Sequence, residues 1–184
     1  MSAHDLIRLA VLAIVAVAGV SILAYQGLTG VPPMSSSAAE AAEVVRLLQS
    51  AGLSHRPVIY DLGSGWGSLV IALARAFPGA DVRGVELSPL PYWIARLRTR
   101  NLANVTLTRG DFFRCDLADA DAVTCYLMTR TMPKVAALLD GTLAPGTCVV
   151  ALSFWFRDRQ TAAASTGAGL LGATALYRWP ARKA

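Results

Sequence analysis

Three acidic residues and three glycines are the side chains of this sequence best suited, by type and spacing, to hold a ligand. The run Val58-Ile-Tyr-Asp61-Leu-Gly63-Ser-Gly65-Trp-Gly67 carries a short apolar strand into an acid and then into glycines at alternate positions. Glycine lets the backbone turn sharply and approach a ligand where a Cβ would clash. The helix that follows offers unpaired N–H groups and a positive dipole end, which suits a carboxylate-bearing ligand. Glu86 ends a second strand in Arg83-Gly-Val-Glu-Leu-Ser88, 25 residues after Asp61. A carboxylate there can take both hydroxyls of a ribose. Asp111 follows a third strand in Arg109-Gly-Asp-Phe-Phe113. It can accept a hydrogen bond from an adenine amino group while Phe112 packs against the ring. Any one of these acids alone reads as a solvated loop charge. Three of them at the ends of three successive strands, in order, read as an adenosyl-cofactor site. The D-x-G-x-G-x-G spacing differs from the G-x-G-x-x-G of dinucleotide dehydrogenases. With no evident Tyr/Lys or His/Asp catalytic pair, that difference argues against a nicotinamide-dependent oxidoreductase.

Elements in a definite order must position these residues. Ser37 is a candidate N-cap, with Glu40 as its capping-box partner, for a helix over Ala38–Ala51 whose apolar face carries Val44, Val45, Leu47 and Leu48. Strands are expected at Val58–Leu62, Asp81–Glu86, Val105–Thr108, Ala122–Met128, Thr147–Phe154 and Ala173–Trp179. Helices are expected at Ser68–Phe77, Pro89–Arg100 and Pro133–Leu139. Such alternation implies an α/β, Rossmann-like domain: a mostly parallel sheet with helices on both faces. Ligands of such sheets bind at the carboxyl ends of the strands. The domain is expected over residues 38–184, after a linker at 28–37 and an N-terminal segment at 1–27.

The composition sets bounds on function. Hydrophobic residues make up 54% of 184 and charged residues 16%, with a formal net charge of +5. No block of five or more Lys/Arg marks a nucleic-acid tail. The three cysteines, Cys115, Cys125 and Cys148, form no CxxC or Cys/His cluster. Neither a disulfide framework nor a metal site is expected, and the pattern fits a reducing compartment.

The stretch Leu9–Tyr25 is uncharged and about 17 residues long, the short end of a membrane span. It is read as a single transmembrane helix, with a cleaved signal peptide and a buried core helix as alternatives. Arg8 weakly favours an N-terminus inside. The need for a cytosolic cofactor favours the opposite: a catalytic domain facing the cytoplasm, or a matrix-equivalent side.

The motifs from about Ser35 to Phe156 resemble the class I S-adenosyl-L-methionine-dependent methyltransferases. The resemblance implies that Asp61, Gly63, Gly65 and Gly67 line the cofactor, that Glu86 holds the ribose, and that Asp111 and Phe112 hold the adenine. A narrower resemblance is carried by the apolar N-terminal segment, Val31-Pro-Pro-Met-Ser-Ser36, Tyr60-Asp-Leu-Gly-Ser-Gly65 and Gly84-Val-Glu-Leu-Ser-Pro89. Asp111-Phe-Phe-Arg-Cys-Asp-Leu117 and the run from Leu127-Met to Met132-Pro extend it. These are similar to membrane-anchored protein-lysine methyltransferases, relatives of the enzymes that modify the ATP synthase c subunit and the adenine nucleotide translocase. That family usually has an acid where Trp66 stands and an arginine where Ser68 stands; Trp66 is instead placed to stack near the cofactor.

Protein-lysine N-methylation of a membrane-associated protein is therefore the expected activity. Tethering favours such a target because it raises effective concentration. Tyr126, Met128 and Thr129 follow the fourth strand, where the acceptor normally sits in this fold, although Tyr126 also reads as a packed strand aromatic. The alternatives are an RNA or small-molecule methyltransferase, with Arg96, Arg98 and Arg100 as phosphate contacts, and an inactive membrane-anchored partner protein. Neither an Asn/Asp-Pro-Pro-Tyr motif nor a catalytic Cys pair is present, which argues against a DNA enzyme. The loop Pro32-Pro33-Met34-Ser35-Ser36 reads either as a lid over the cofactor or as a plain spacer.

Overall fold

The computed structural model describes residues 2–29, 35–165 and 173–182; in the N-terminal helix the side chains at 14, 15, 17, 18 and 21–29 are outside the description. The helices are α1 (Ala3–Thr29), α2 (Ala38–Ser50), α3 (Ser68–Ala76), α4 (Pro89–Thr99) and α5 (Met132–Thr142). The strands are β1 (Val58–Leu62), β2 (Asp81–Glu86), β3 (Val105–Arg109), β4 (Ala122–Cys125), β5 (Cys148–Leu152), β6 (Ala163–Ala164) and β7 (Thr174–Arg178).

The strands form one sheet in the order β3-β2-β1-β4-β5-β7-β6. Pairing is parallel from β3 through β5 and antiparallel at β5–β7 and β7–β6. This is the Rossmann-like α/β methyltransferase arrangement expected from the alternating pattern. The strand order reverses beside β1, where the β1–α3 loop and the end of β4 diverge. A crevice at the carboxyl ends of the strands follows from that reversal.

Two hydrophobic layers sandwich the sheet, as a parallel sheet with both faces covered requires. One packs α2 and α3 through Val44, Leu47, Leu48, Val70 and Leu73 onto Ile59, Val82 and Val150. The other packs α5 through Val135 and Leu139 onto Leu62, Val123 and Val149, closed by Phe156, Tyr177 and Trp179. The α2 cap is as expected: Ser37 Oγ accepts from the Glu40 amide at 3.2 Å, and the Glu40 carboxylate accepts from the Ser37 amide at 2.7 Å.

Three expectations need correction. Residues 126–128 do not continue β4, because the chain leaves the sheet there and turns toward α5, with Thr131 N donating to Met128 O. Helix α5 runs to Thr142, beyond Leu139, since Gly141 lies on an open face and Thr142 Oγ1 bonds back to Leu138 O. The expected last strand is not the sheet's edge, because β6, a two-residue Ala-Ala strand with no propensity signal of its own, pairs antiparallel beside it.

The segment Leu9–Tyr25 falls inside a single helix of 27 residues. Its described apolar side chains at Leu6, Ile7, Leu9, Val11, Leu12 and Val20 are exposed, so the alternative of a buried core helix does not hold for them. Among the described residues, no helix is long and apolar enough to cross a membrane. Pro32, Pro33 and Met34 of the linker lie outside the described residues.

Candidate active site

The acid near the end of β1 is buried in the sheet crevice. Asp61, the next-to-last residue of β1, is 3% exposed, and its Oδ1 accepts a 2.9 Å hydrogen bond from Thr124 Oγ1 on the neighbouring β4. Burial pushes its carboxyl up to about 7; the Thr124 bond lowers it and the nearby Glu86 charge raises it. A buried carboxyl with one hydroxyl partner is short of compensation for its charge. A cation brought into the crevice would supply it.

The loop after β1 turns on Gly63, Gly65 and Gly67, with φ of 75°, 51° and 79°. Two of these positions exclude a side chain for a second reason. A Cβ on Gly63 would stand 3.0 Å from Leu127 Cδ2, and one on Gly67 3.0 Å from Ala95 Cβ on α4. The turn is fastened to β2 by Gly63 N and Ser64 N, which both donate to Val85 O at 2.9 and 3.0 Å.

Glu86 is 9% exposed and fixed by two backbone amides. Its Oε2 accepts from Gly65 N at 2.8 Å and its Oε1 from Ser88 N at 2.7 Å. The second acid is thus built into the glycine loop, close enough to Asp61 to act on its charge. Asp111 is half-buried and caps the 3-10 turn Phe112–Arg114, accepting from Phe113 N at 3.0 Å. The rings of Phe112 and Phe113 stand 4.5 Å apart; Phe112 packs on the core and Phe113 is exposed.

A small cleft opens beside this loop, lined by Ser35, Ser36, Asp61, Gly63, Ser64, Trp66, Ser68, Leu69 and Tyr126. Four of the expected residues, Asp61, Gly63, Trp66 and Tyr126, therefore meet in one cavity. Gly65 and Glu86 adjoin it through their hydrogen bond, and Asp111 and Phe112 stand after β3, further along the same sheet edge. Met128 and Thr129 do not line it. They follow the point where the chain turns away, and Thr129 is exposed.

Several features around the cleft escaped the reading from sequence. Ser64 Oγ is buried with no hydrogen-bond partner among the described residues. Arg98 NH1 reaches back from α4 to the Trp66 carbonyl at 2.5 Å and to Ser68 Oγ at 3.4 Å. Ser35 Oγ in turn lies 2.9 Å from Ser68 Oγ. An arginine is thus present beside Ser68, delivered from a helix 30 residues away. Its neighbours are used locally: Arg96 bonds Tyr92 OH and stacks on Trp93, and Arg100 bonds Leu97 O. The three arginines do not converge on one phosphate-binding face.

The residues present suit an adenosyl-amino-acid ligand. A buried carboxyl with a single hydroxyl partner, a buried hydroxyl with no partner among the described residues and a loop held clear of side chains meet in one crevice. The family model for the ANTKMT methyltransferase domain matches residues 61–163, more than half of the chain and the whole stretch that bears these residues. The chain belongs to this family. The methyltransferase is 32% identical over 123 residues to a protein-lysine N-methyltransferase of Saccharolobus islandicus (strain REY15A), across 62% of this chain and 73% of that protein. Its fold matches an RNA methyltransferase from Salinibacter ruber in complex with S-adenosyl-L-homocysteine. The TM-score is 0.72 and the identity 28%, over 82% of this chain and 97% of that one. A methyltransferase from Geobacter sulfurreducens, also in complex with S-adenosyl-L-homocysteine, matches with a TM-score of 0.53 and 26% identity, over 65% of this chain and 48% of that one. The protein is an S-adenosylmethionine-dependent methyltransferase.

Proposed function

We propose that this methyltransferase modifies lysine side chains of a membrane-associated protein. The likeness to the archaeal protein-lysine N-methyltransferase, over 73% of that protein, carries the reading. We further propose the residue roles. Asp61, Gly63, Gly65, Trp66 and Gly67 hold the amino-acid end of the cofactor, Glu86 its ribose, and Asp111 with Phe112 its adenine. Tyr126 stands on the acceptor side. Residues 38–184 form the catalytic domain behind a linker at 28–37.

Bound S-adenosylmethionine supplies a methyl group already activated by its sulfonium charge. The protein's task is then to hold two reactants in line and keep water out. The sheet edge holds Asp61 and Glu86 by backbone and Thr124 contacts that need no rearrangement. The acceptor amine must arrive unprotonated, and a phenol at the mouth of the cleft can take a hydrogen bond from it.

The membrane tether is the finer part of the proposal. It rests on the uncharged run Leu9–Tyr25 and on the exposed apolar side chains of α1, with the catalytic domain facing the cytoplasm or a matrix-equivalent side. The test uses the full-length protein in detergent. Calorimetric titration with S-adenosylmethionine is expected to show saturable binding that Asp61→Ala and Glu86→Ala each lose. Labelled methyl is then expected on lysines of membrane proteins. Label on RNA or on small molecules would replace the lysine reading with one of those, and a folded chain that binds no cofactor would be an inactive partner protein.

A further inference from the structure

Glu40 is a buried carboxylate that the cofactor cradle does not use. One of its oxygens is occupied by the α2 cap. A capping box needs no more than that, and it normally sits at a wet helix end. The other oxygen, Oε1, lies 3.4 Å from Tyr126 OH, a contact across 86 residues of sequence. Ser153, just past β5, stands close enough to the Tyr126 hydroxyl to lower its phenol against the effect of burial. It holds φ at 59°, a left-handed conformation that is strained for a non-glycine residue and clusters at functional sites. The start of α2, the end of β4 and the end of β5 are thus drawn onto one phenol hydroxyl at the wall of the cleft.

We propose that Glu40 is a positioning residue for methyl transfer, holding the Tyr126 hydroxyl on the acceptor side of the cleft. Tyr126 OH donates a hydrogen bond to Glu40 and stays protonated, so a lone pair of its oxygen faces the cleft to accept an N–H of the incoming amine. That hydrogen bond turns the nitrogen lone pair toward the methyl group. Burial raises the Tyr126 phenol above its ordinary value, which keeps it protonated and donating. The inference rests on the methyl-transfer activity and on the acceptor-side placement of Tyr126, not on lysine as the acceptor.

Glu40→Gln is the informative variant, because glutamine at this position still closes a capping box. The full-length protein, Glu40→Gln, Tyr126→Phe and the double variant would be compared by cofactor titration, thermal melting and labelled-methyl transfer. The acceptors would be membrane, soluble-protein, RNA and small-molecule fractions of the host cell. Glu40→Gln is expected to keep its melting temperature and its cofactor affinity within twofold. It is expected to lose turnover by about ten- to a hundredfold, with a raised KM for the acceptor. Tyr126→Phe should match it, and the double variant should lose no more than either. Wild-type turnover in Glu40→Gln, multiplicative losses in the double variant, or cofactor binding lost together with turnover would each overturn the proposal. The site of the label keeps the two readings apart. Label on a non-lysine acceptor removes the lysine assignment while the variants are still compared on that acceptor. No label from a cofactor-bound wild type removes both.

Discussion

At the scale of single residues, the site sets stability against function. Asp61 keeps its proton in the folded domain up to about pH 7, whereas the unfolded chain releases it near 3.8. The folded state therefore binds more protons between these values, and stability falls as pH rises through that window. The loss is on the order of 4 kcal/mol in the absence of ligand. Chemical denaturation from pH 4 to 8 is expected to show this fall, and Asp61→Asn to remove most of it. The same variant should be more stable than wild type above pH 7 while failing to bind S-adenosylmethionine. Because the cofactor is cationic, its binding should favour the ionised carboxylate, release a proton below pH 7 and weaken as pH drops. Calorimetry in buffers of different ionisation enthalpy would detect that proton. A pH-independent stability, or an Asp61→Asn domain that still binds, would refute the assignment. Gly67 gives a second prediction at this scale. Gly67→Ala meets both a φ of 79° and Ala95 Cβ at 3.0 Å, and should lower stability by about 1–3 kcal/mol while moving the loop off α4.

At the scale of elements, the cleft depends on two attachments that are distant in sequence. Ser37 closes the α2 capping box, and Ser37→Ala is expected to cost about 1 kcal/mol in denaturant melts. Because α2 also carries Glu40 to Tyr126, the same change should slow methyl transfer more than it lowers stability. Arg98 ties the end of α4 to the Trp66 carbonyl and Ser68. Arg98→Ala is expected to weaken cofactor binding about tenfold with little change in melting temperature, since the arginine lies on an exposed surface and fastens the loop rather than the core. Unchanged affinity in that variant would show that the glycine turn holds its shape through its Val85 bonds alone.

At the scale of the whole molecule, the N-terminal helix and the catalytic domain are expected to be separable in function. Removal of residues 1–29 should leave cofactor affinity unchanged and shift the protein from membrane to soluble fractions. A truncated chain that remains with the membrane would move the tether onto the domain itself. The antiparallel end of the sheet is a structural counterpart to the active edge. Arg159 is buried there, bonded to Asp140 at 2.6 Å and to Pro180 O at 2.8 Å, with its guanidinium over the Trp179 ring. Trp179 packs in turn on Phe156, whose amide donates to Tyr177 OH at 3.2 Å. This cluster locks β7 onto the α5 side of the sheet, away from the residues that bear chemistry.

Much of this was legible in the residues themselves. β1 and β2 begin and end where their apolar runs and terminal acids place them, because both are short parallel strands bounded by glycine and proline signals. The order Asp61, Glu86, Asp111 fixes three successive strand ends, since a parallel sheet returns every strand to the same edge. The Ser37–Glu40 cap is likewise a local pattern with a local cause. What tertiary structure decided is contact between segments that share no local signal. The Thr124 hydroxyl on Asp61, the Arg98 guanidinium on the Trp66 carbonyl and the Glu40 carboxylate by Tyr126 each join residues from different elements. The end of β4 at Cys125 and the two-residue β6 depend on which neighbours offer hydrogen bonds, not on side-chain periodicity. Strand ends and glycine turns follow from the chain's own stereochemistry; which side chain meets which across the crevice follows only from the packing of the layers.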